Sequence, residues 1–150
     1  LCGECDQRLK QVIAKLDTQP EHFGLVHGDL VEANVLSEGS RTNVIDFGDS
    51  LFAHYVYDIA STLSQWQLRD ALGDEEHNVE CQDAFMEGYR SVRNLGPDFE
   101  HELCVFMAAK WSRASGWWTS IWKQIDDDYR RQTQERTIPR MVELMRTWLA

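Results

Sequence analysis

The sequence predicts an α+β fold, mostly helical, with a small β-hairpin region set between one leading helix and a helical bundle. Two observations carry this. Short apolar runs crowd between residues 24 and 47, and beyond them apolar residues recur at helical spacing. Leu9, Val12, Ile13 and Leu16 fall at i, i+3, i+4 and i+7, which marks an amphipathic helix from about Glu4 to Leu16. Pro20 cannot continue it. Gly24-Leu25-Val26-His27 is too brief for a helix and reads as a strand. Val35-Leu36-Ser37 and Asn43-Val44-Ile45-Asp46-Phe47 read as two more, joined by Glu38-Gly39-Ser40-Arg41-Thr42, which has the composition of a hairpin turn.

Everything after Ser50 reads as helix. Val56, Ile59, Ala60, Leu63 and Trp66 define one helix, broken near Gly73. Phe85, Tyr89 and Val92 belong to a second, which stops at Asn94-Leu95-Gly96-Pro97. The third is long, from about Asp98 to Ile125, with Leu103, Met107, Trp111, Ala114, Trp118, Ile121 and Ile125 on one face. Asp98 stands where a cap would. The last helix starts at Pro139, a favoured first-turn residue, and carries Met141, Leu144, Met145 and Trp148.

A chain of 150 residues can bury one core, and a 43% apolar, 27% charged composition is that of an ordinary soluble globular protein. No apolar run reaches the length of a membrane span and the first residues do not form a signal peptide, so a cytoplasmic protein without membrane contact is expected. The chain begins without methionine, as a processed, trimmed or truncated piece would. Its net charge of −10, from 25 acidic and 15 basic residues, repels a phosphate backbone and excludes nucleic acid as the expected partner. Cationic small molecules and divalent metals suit it better. Cys2-Gly3-Glu4-Cys5 has zinc-knuckle spacing, but no second pair follows, so Cys2, Cys5, Cys81 and Cys104 read as reduced thiols.

The chemistry-bearing residues are compressed between His27 and Asp58. They form three groups: His27-Gly28-Asp29 with Asn34, then Asp46-Phe47-Gly48-Asp49, then Asp58. Phosphoryl transfer needs a group that orients or deprotonates the attacking hydroxyl, and oxygen ligands that hold magnesium against the triphosphate. An Asp in a loop after a strand can be that base. An Asn five residues on offers a neutral oxygen ligand, and a hairpin brings Asp46 back to the same end of the β region. Few hard oxygen donors match magnesium, which keeps several waters and takes the rest from phosphate.

In this order and spacing the groups resemble the aminoglycoside phosphotransferase and choline kinase superfamily, relatives of the protein kinases. The resemblance implies the C-terminal lobe of a protein-kinase-like fold. His27-Gly28-Asp29 with Asn34 is similar to the catalytic loop of that superfamily, and Asp46-Phe47-Gly48 to its metal-binding motif. By that likeness Asp29 is the catalytic base and His27 packs behind it in the same loop. Asn34 and Asp46 bind magnesium and the ATP phosphates, and Asp58 supports the loop backbone. The substrate is then a small hydroxylated metabolite, an amine-bearing one by the acidity of the chain. Phe85-Met86-Glu87-Gly88-Tyr89 also recurs in such lobes, and the flanking text is most similar to hydroxylysine-kinase-like members.

One departure stands out. The superfamily's N-terminal lobe, with a loop over the phosphates, a strand Lys and a helix Glu, has no counterpart here. Only one helix precedes His27, and Lys10 and Lys15 on it read as exposed. Val31 stands where protein kinases place a Lys shortly after their catalytic Asp, a Lys that the small-molecule kinases commonly lack too. A missing lobe or partner chain is therefore expected. The rival reading is a non-catalytic remnant lobe acting as a binding or regulatory module, with an apolar patch exposed where the other lobe would dock. Asp49 either neighbours the metal and the substrate cleft or caps the next segment. Trp117 and Trp122 either line that cleft or pack with Trp111 and Trp118 along the helix. Asp126-Asp127-Asp128 is a solvated run or an attractor for an amine.

Overall fold

Helix α1 (Cys2–Ile13) opens the computed structural model, which describes residues 2–71, 78–121, 124 and 126–149. Strand β1 (Phe23–Val26) follows, then a 3-10 turn (Glu32–Asn34) and the hairpin β2 (Val35–Glu38) and β3 (Arg41–Val44). The hairpin register runs from Val35 opposite Val44 to Glu38 opposite Arg41, and Gly39 takes the positive φ of 59° that its tight turn requires. Strand β4 (Leu51–His54) pairs antiparallel with β1, Phe23 opposite His54 and Val26 opposite Leu51, so the β region is two separate two-stranded ribbons.

Strand β4 corrects the expectation that helix begins directly after Ser50. Four residues that run straight into a helical pattern carry no periodicity of their own, and their partner strand lies far upstream. The expected third strand is also shorter. It ends at Val44, Asp46 takes a left-handed backbone (φ 60°), and Phe47–Asp49 forms a 3-10 turn. Asp tolerates that conformation better than most residues, and such strain concentrates where a side chain must be aimed.

The helical part consists of α2 (Val56–Ala71), α3 (Asn78–Val92), α4 (Phe99–Ile121), α5 (Asp127–Gln132) and α6 (Ile138–Leu149). A π-helical turn (Thr133–Thr137) joins the last two without a break, and Pro139 is the second residue of α6. The break expected near Gly73 falls outside the described residues. So does the expected extension of α4 over 122–125, apart from Gln124.

Helix α4 is the centre of the packing. Its Phe99, Leu103, Phe106 and Met107 meet Val56, Tyr57, Ile59, Ala60 and Leu63 of α2, with Val26 and Ala53 of the first ribbon beneath. Val105 and Ala108 of α4 take Leu9 of α1, and Trp111 takes Met141 of α6. Each large side chain fully buried here contributes about 1.5–3 kcal/mol. Together they fix the rotation of α4 relative to the ribbons. The periodicity read from the sequence at Leu103, Met107 and Trp111 is this buried face.

The apolar surface is uneven. Leu25, Leu36, Val44, Ile45, Phe47, Leu51 and Phe52 of the ribbons and their connections are all exposed; Leu25 and Phe52 are direct cross-strand partners. Among the described residues no helix is long and apolar enough to cross a membrane.

Candidate active site

The loop between β1 and β2 is held residue by residue by one face of α2. Asp58 accepts from the backbone N–H of His27 through Oδ2 (2.8 Å) and of Gly28 through Oδ1 (2.9 Å). One turn on, the Thr62 hydroxyl donates to the Leu30 carbonyl (2.7 Å), and beyond it Gln65 Oε1 accepts from the Glu32 N–H (3.0 Å). Arg69 pairs with the Glu32 carboxylate. Positions 58, 62, 65 and 69 are spaced as neighbours along one side of a helix, so a single stripe matches the loop. Asp58→Ala strands two buried donors and is expected to lower stability by about 2 kcal/mol in chemical denaturation.

His27 is buried behind this loop with both ring nitrogens engaged. Nδ1 accepts from the Asp29 N–H (3.3 Å), so Nε2 carries the proton and donates to the Ile45 carbonyl (2.9 Å). The Phe47 ring lies 4.7 Å from the imidazole, centroid to centroid. This ties the loop to the segment that follows β3. At Gly28, φ is +84° and a Cβ would sit 2.1 Å from the Asp49 carbonyl oxygen; only glycine fits.

Asp29 is partly exposed and gripped from two sides. Asn34 Nδ2 donates to its backbone carbonyl (2.9 Å) and approaches Oδ2 (3.5 Å), which leaves the amide oxygen of Asn34 as the end available to a cation. From the other side comes Lys110 of α4. Its Nζ donates to the Gly28 carbonyl (3.1 Å), stands 3.5 Å from Asp29 Oδ1 and lies over the Tyr57 ring. Burial pulls the Lys110 pKa below the ordinary lysine value, and the Asp29 carboxylate draws it partly back. Arg113, one turn further along α4, binds Asp49 Oδ1 (2.8 Å) and the Tyr57 hydroxyl (3.2 Å). The Tyr57 hydrogen bond, chiefly, raises its pKa further.

Two cavities flank this centre. The smaller, about 240 Å³, is lined by Asp29, Asp46, Gly48 and Asp49. The larger, about 330 Å³, adds Ser61, Gln65, Lys110, Trp111 and Arg113 to the same Asp29 and Asp49. Asp29 and Asp49 thus form a wall common to both. Asp46 Oδ1 makes a long contact with the Gly48 N–H (3.4 Å), and Asp46 is exposed and lines the smaller cavity. Among the described residues no three His, Cys, Asp or Glu side chains gather to hold a metal by themselves. The Asp46 carboxylate and the Asn34 amide oxygen are hard oxygen donors, the kind magnesium takes when water and phosphate complete its shell.

Of the residues singled out in the sequence, His27, Asp29, Asn34, Asp46, Asp49 and Asp58 come together here. Trp122 lies outside the described residues, and only the backbone of Trp117 is described. Lys110, Arg113, Thr62 and Gln65 were not anticipated. The available signal for Lys110 is a cation placed at helical spacing within the apolar run Leu103, Met107, Ala114.

The chain is similar to known proteins in both sequence and fold. Residues 2–95 match the model of the phosphotransferase enzyme family. A homoserine kinase of Neisseria meningitidis serogroup B is 30% identical over 123 residues, which cover 80% of this chain and 36% of that protein. A homoserine kinase of Sinorhizobium medicae is 37% identical over 73 residues, covering 48% of this chain and 22% of its own length. The chain therefore spans about a third or less of the curated relatives it matches. Among solved structures, an amicoumacin kinase in complex with AMP-PNP, Ca²⁺ and Ami superposes with a TM-score of 0.74 at 20% identity, over 97% of this chain and 44% of that one. With the mostly helical fold, the paired ribbons and the gathered motif residues, this shows that the chain belongs to the phosphotransferase enzyme family, whose neighbours here are small-molecule kinases.

Proposed function

We propose that the chain forms the acceptor-binding half of a kinase that uses ATP and magnesium to phosphorylate a hydroxyl on a small, amine-bearing metabolite. The observation that carries this reading is the Asp29 carboxylate, gripped from two sides at the wall between the two cavities. Asp29 takes the proton of the acceptor hydroxyl as the acceptor oxygen bonds to the γ-phosphorus and ADP leaves. Asn34, beside Asp29, and Asp46, on the smaller cavity, would hold magnesium, whose charge would offset that of the phosphates. His27, with both nitrogens engaged, braces the loop and takes no part in proton transfer. Asp58 fixes the backbone on which Asp29 stands.

The larger cavity sets Lys110 and Arg113 beside Asp29 and Asp49, a balance of charge suited to a zwitterion. Hydroxylated amino acids are accordingly the acceptors of choice. Homoserine comes first, by similarity to the homoserine kinases, and hydroxylysine second, by the flanking likeness to hydroxylysine-kinase-like proteins. The ATP-clamping elements belong, in this reading, to an N-terminal lobe outside this sequence or to a partner chain. The exposed apolar residues of the ribbons, Leu25 and Phe52 foremost, support a docking face for it.

The test is ADP release with magnesium and ATP, using this chain beside its longest natural reading frame and a panel of hydroxylated amines and amino acids. Turnover in the longer form, abolished by Asp46→Ala, is the expected result. No turnover in either form, and no magnesium-dependent nucleotide binding, would favour a remnant lobe that binds without catalysing.

A further inference from the structure

We infer that Lys110 is a positioning residue of the transfer reaction, setting the direction in which Asp29 presents its carboxylate to the acceptor; this rests on the kinase reading above. The argument begins with where Lys110 sits. It lies among the buried face of α4, between Met107 and Trp111, and its side chain is only 12% exposed. A lysine there is costly, since the ammonium must leave water. The apolar clusters that join α4 to α2 and α6 are built from other residues of the helix.

What the ammonium reaches is the loop. It donates to the Gly28 carbonyl at 3.1 Å and stands 3.5 Å from Asp29 Oδ1. Asp29 Oδ2 faces Asn34 Nδ2, also at 3.5 Å. The two carboxylate oxygens are thus each assigned a donor, one from five residues downstream and one from 81 residues downstream. The plane of the carboxylate follows from that pair. Lys110 and Asp29 both line the larger cavity, so their contact lies at the wall of the acceptor side. Arg113 does not duplicate this role, because its guanidinium is taken by Asp49 and Tyr57.

The bland alternative is a staple, a lysine that merely holds the Gly28 carbonyl. The two differ in what they change. A positioning role acts on the chemical step after both substrates are bound, whereas a staple acts on stability and on every substrate alike.

The experiment uses the longest natural reading frame carrying Lys110→Met, Lys110→Ala and Lys110→Arg, with steady-state ADP release and thermal unfolding on each. Lys110→Met and Lys110→Ala are expected to lower kcat by about 30-fold or more while KM for ATP stays within about threefold. Ethylammonium should restore part of the lost kcat in Lys110→Ala, saturably, and leave Lys110→Met unaffected. Lys110→Arg should retain more kcat than Lys110→Met. A Lys110→Met enzyme with kcat within about threefold of the wild type overturns the inference alone, with the kinase reading intact. Equal losses in kcat and ATP affinity, tracking a fall in thermal midpoint and unmoved by ethylammonium, overturn it in favour of the staple. If Lys110→Ala fails to fold, Lys110→Met, which keeps the apolar stem, and Lys110→Arg decide. A wild-type protein without turnover on any acceptor overturns both readings.

Discussion

Asp29→Asn is expected to cut kcat of the full-length protein by about 10²–10⁴-fold, the usual contribution of a positioned general base. The substitution preserves shape and volume, so the fold should stand. It fails for two reasons that the geometry separates. An amide cannot take the hydroxyl proton, and it offers one acceptor where the carboxylate offered two. Asp29 Oδ1 faces Lys110 Nζ and Oδ2 faces Asn34 Nδ2, both donors. Whichever way the new amide is turned, its NH₂ group meets a donor. Steady-state ADP release at saturating acceptor measures the loss, and calorimetric titration of the nucleotide should show affinity retained within about tenfold. Turnover at the wild-type rate would remove Asp29 from the chemistry and the proposed function with it.

Gly28→Ala is expected to lower stability by about 2–5 kcal/mol, from about 1–2 for a left-handed alanine and about 1–3 for overpacking. The overpacking is not against a side chain that can swing away. The added Cβ would lie 2.1 Å from the Asp49 carbonyl oxygen, which is backbone, and 2.8 Å from Leu51 Cδ2. Relief requires the 3-10 turn of Phe47–Asp49 to move away from the loop, which would widen the smaller cavity and separate Asp29 from Asp46. A thermal midpoint lower by roughly 10 °C is the measurable form of this. A change under about 2 °C would mean that the contact between the two segments is looser than it stands here.

The residues that the sequence made legible are those whose function is written locally. His27, Gly28, Asp29 and Asn34 lie within one loop, and Asp46 to Asp49 within one turn, so spacing alone could group them. Helix faces were equally readable, because Leu103, Met107 and Trp111 announce their own period. What escaped was pairing at a distance. Leu51–His54 became a strand only because Phe23–Val26 lies beside it, and no pattern within four residues says so. Lys110 and Arg113 reach the site because α4 is pressed against α2 by Phe106 and Met107, a consequence of packing and not of any motif. Asp58, Thr62, Gln65 and Arg69 were an intermediate case. Asp58 was legible by the family resemblance, which assigns it to the loop backbone, whereas Thr62, Gln65 and Arg69 were not, because a polar helix stripe ordinarily faces water.

That stripe has a thermodynamic consequence. Ordering a loop residue into one backbone conformation costs about 1–2 kcal/mol of chain entropy. In an untethered loop the cost recurs at each encounter with substrate. Here the backbone groups of His27, Gly28, Leu30 and Glu32 are already bonded to α2, a helix whose other face is locked into the core. The loop is preorganised during folding, once per molecule and not once per turnover. In the proposed kinase any closing motion that accompanies catalysis would then come from outside this loop, which arrives at the reaction already set.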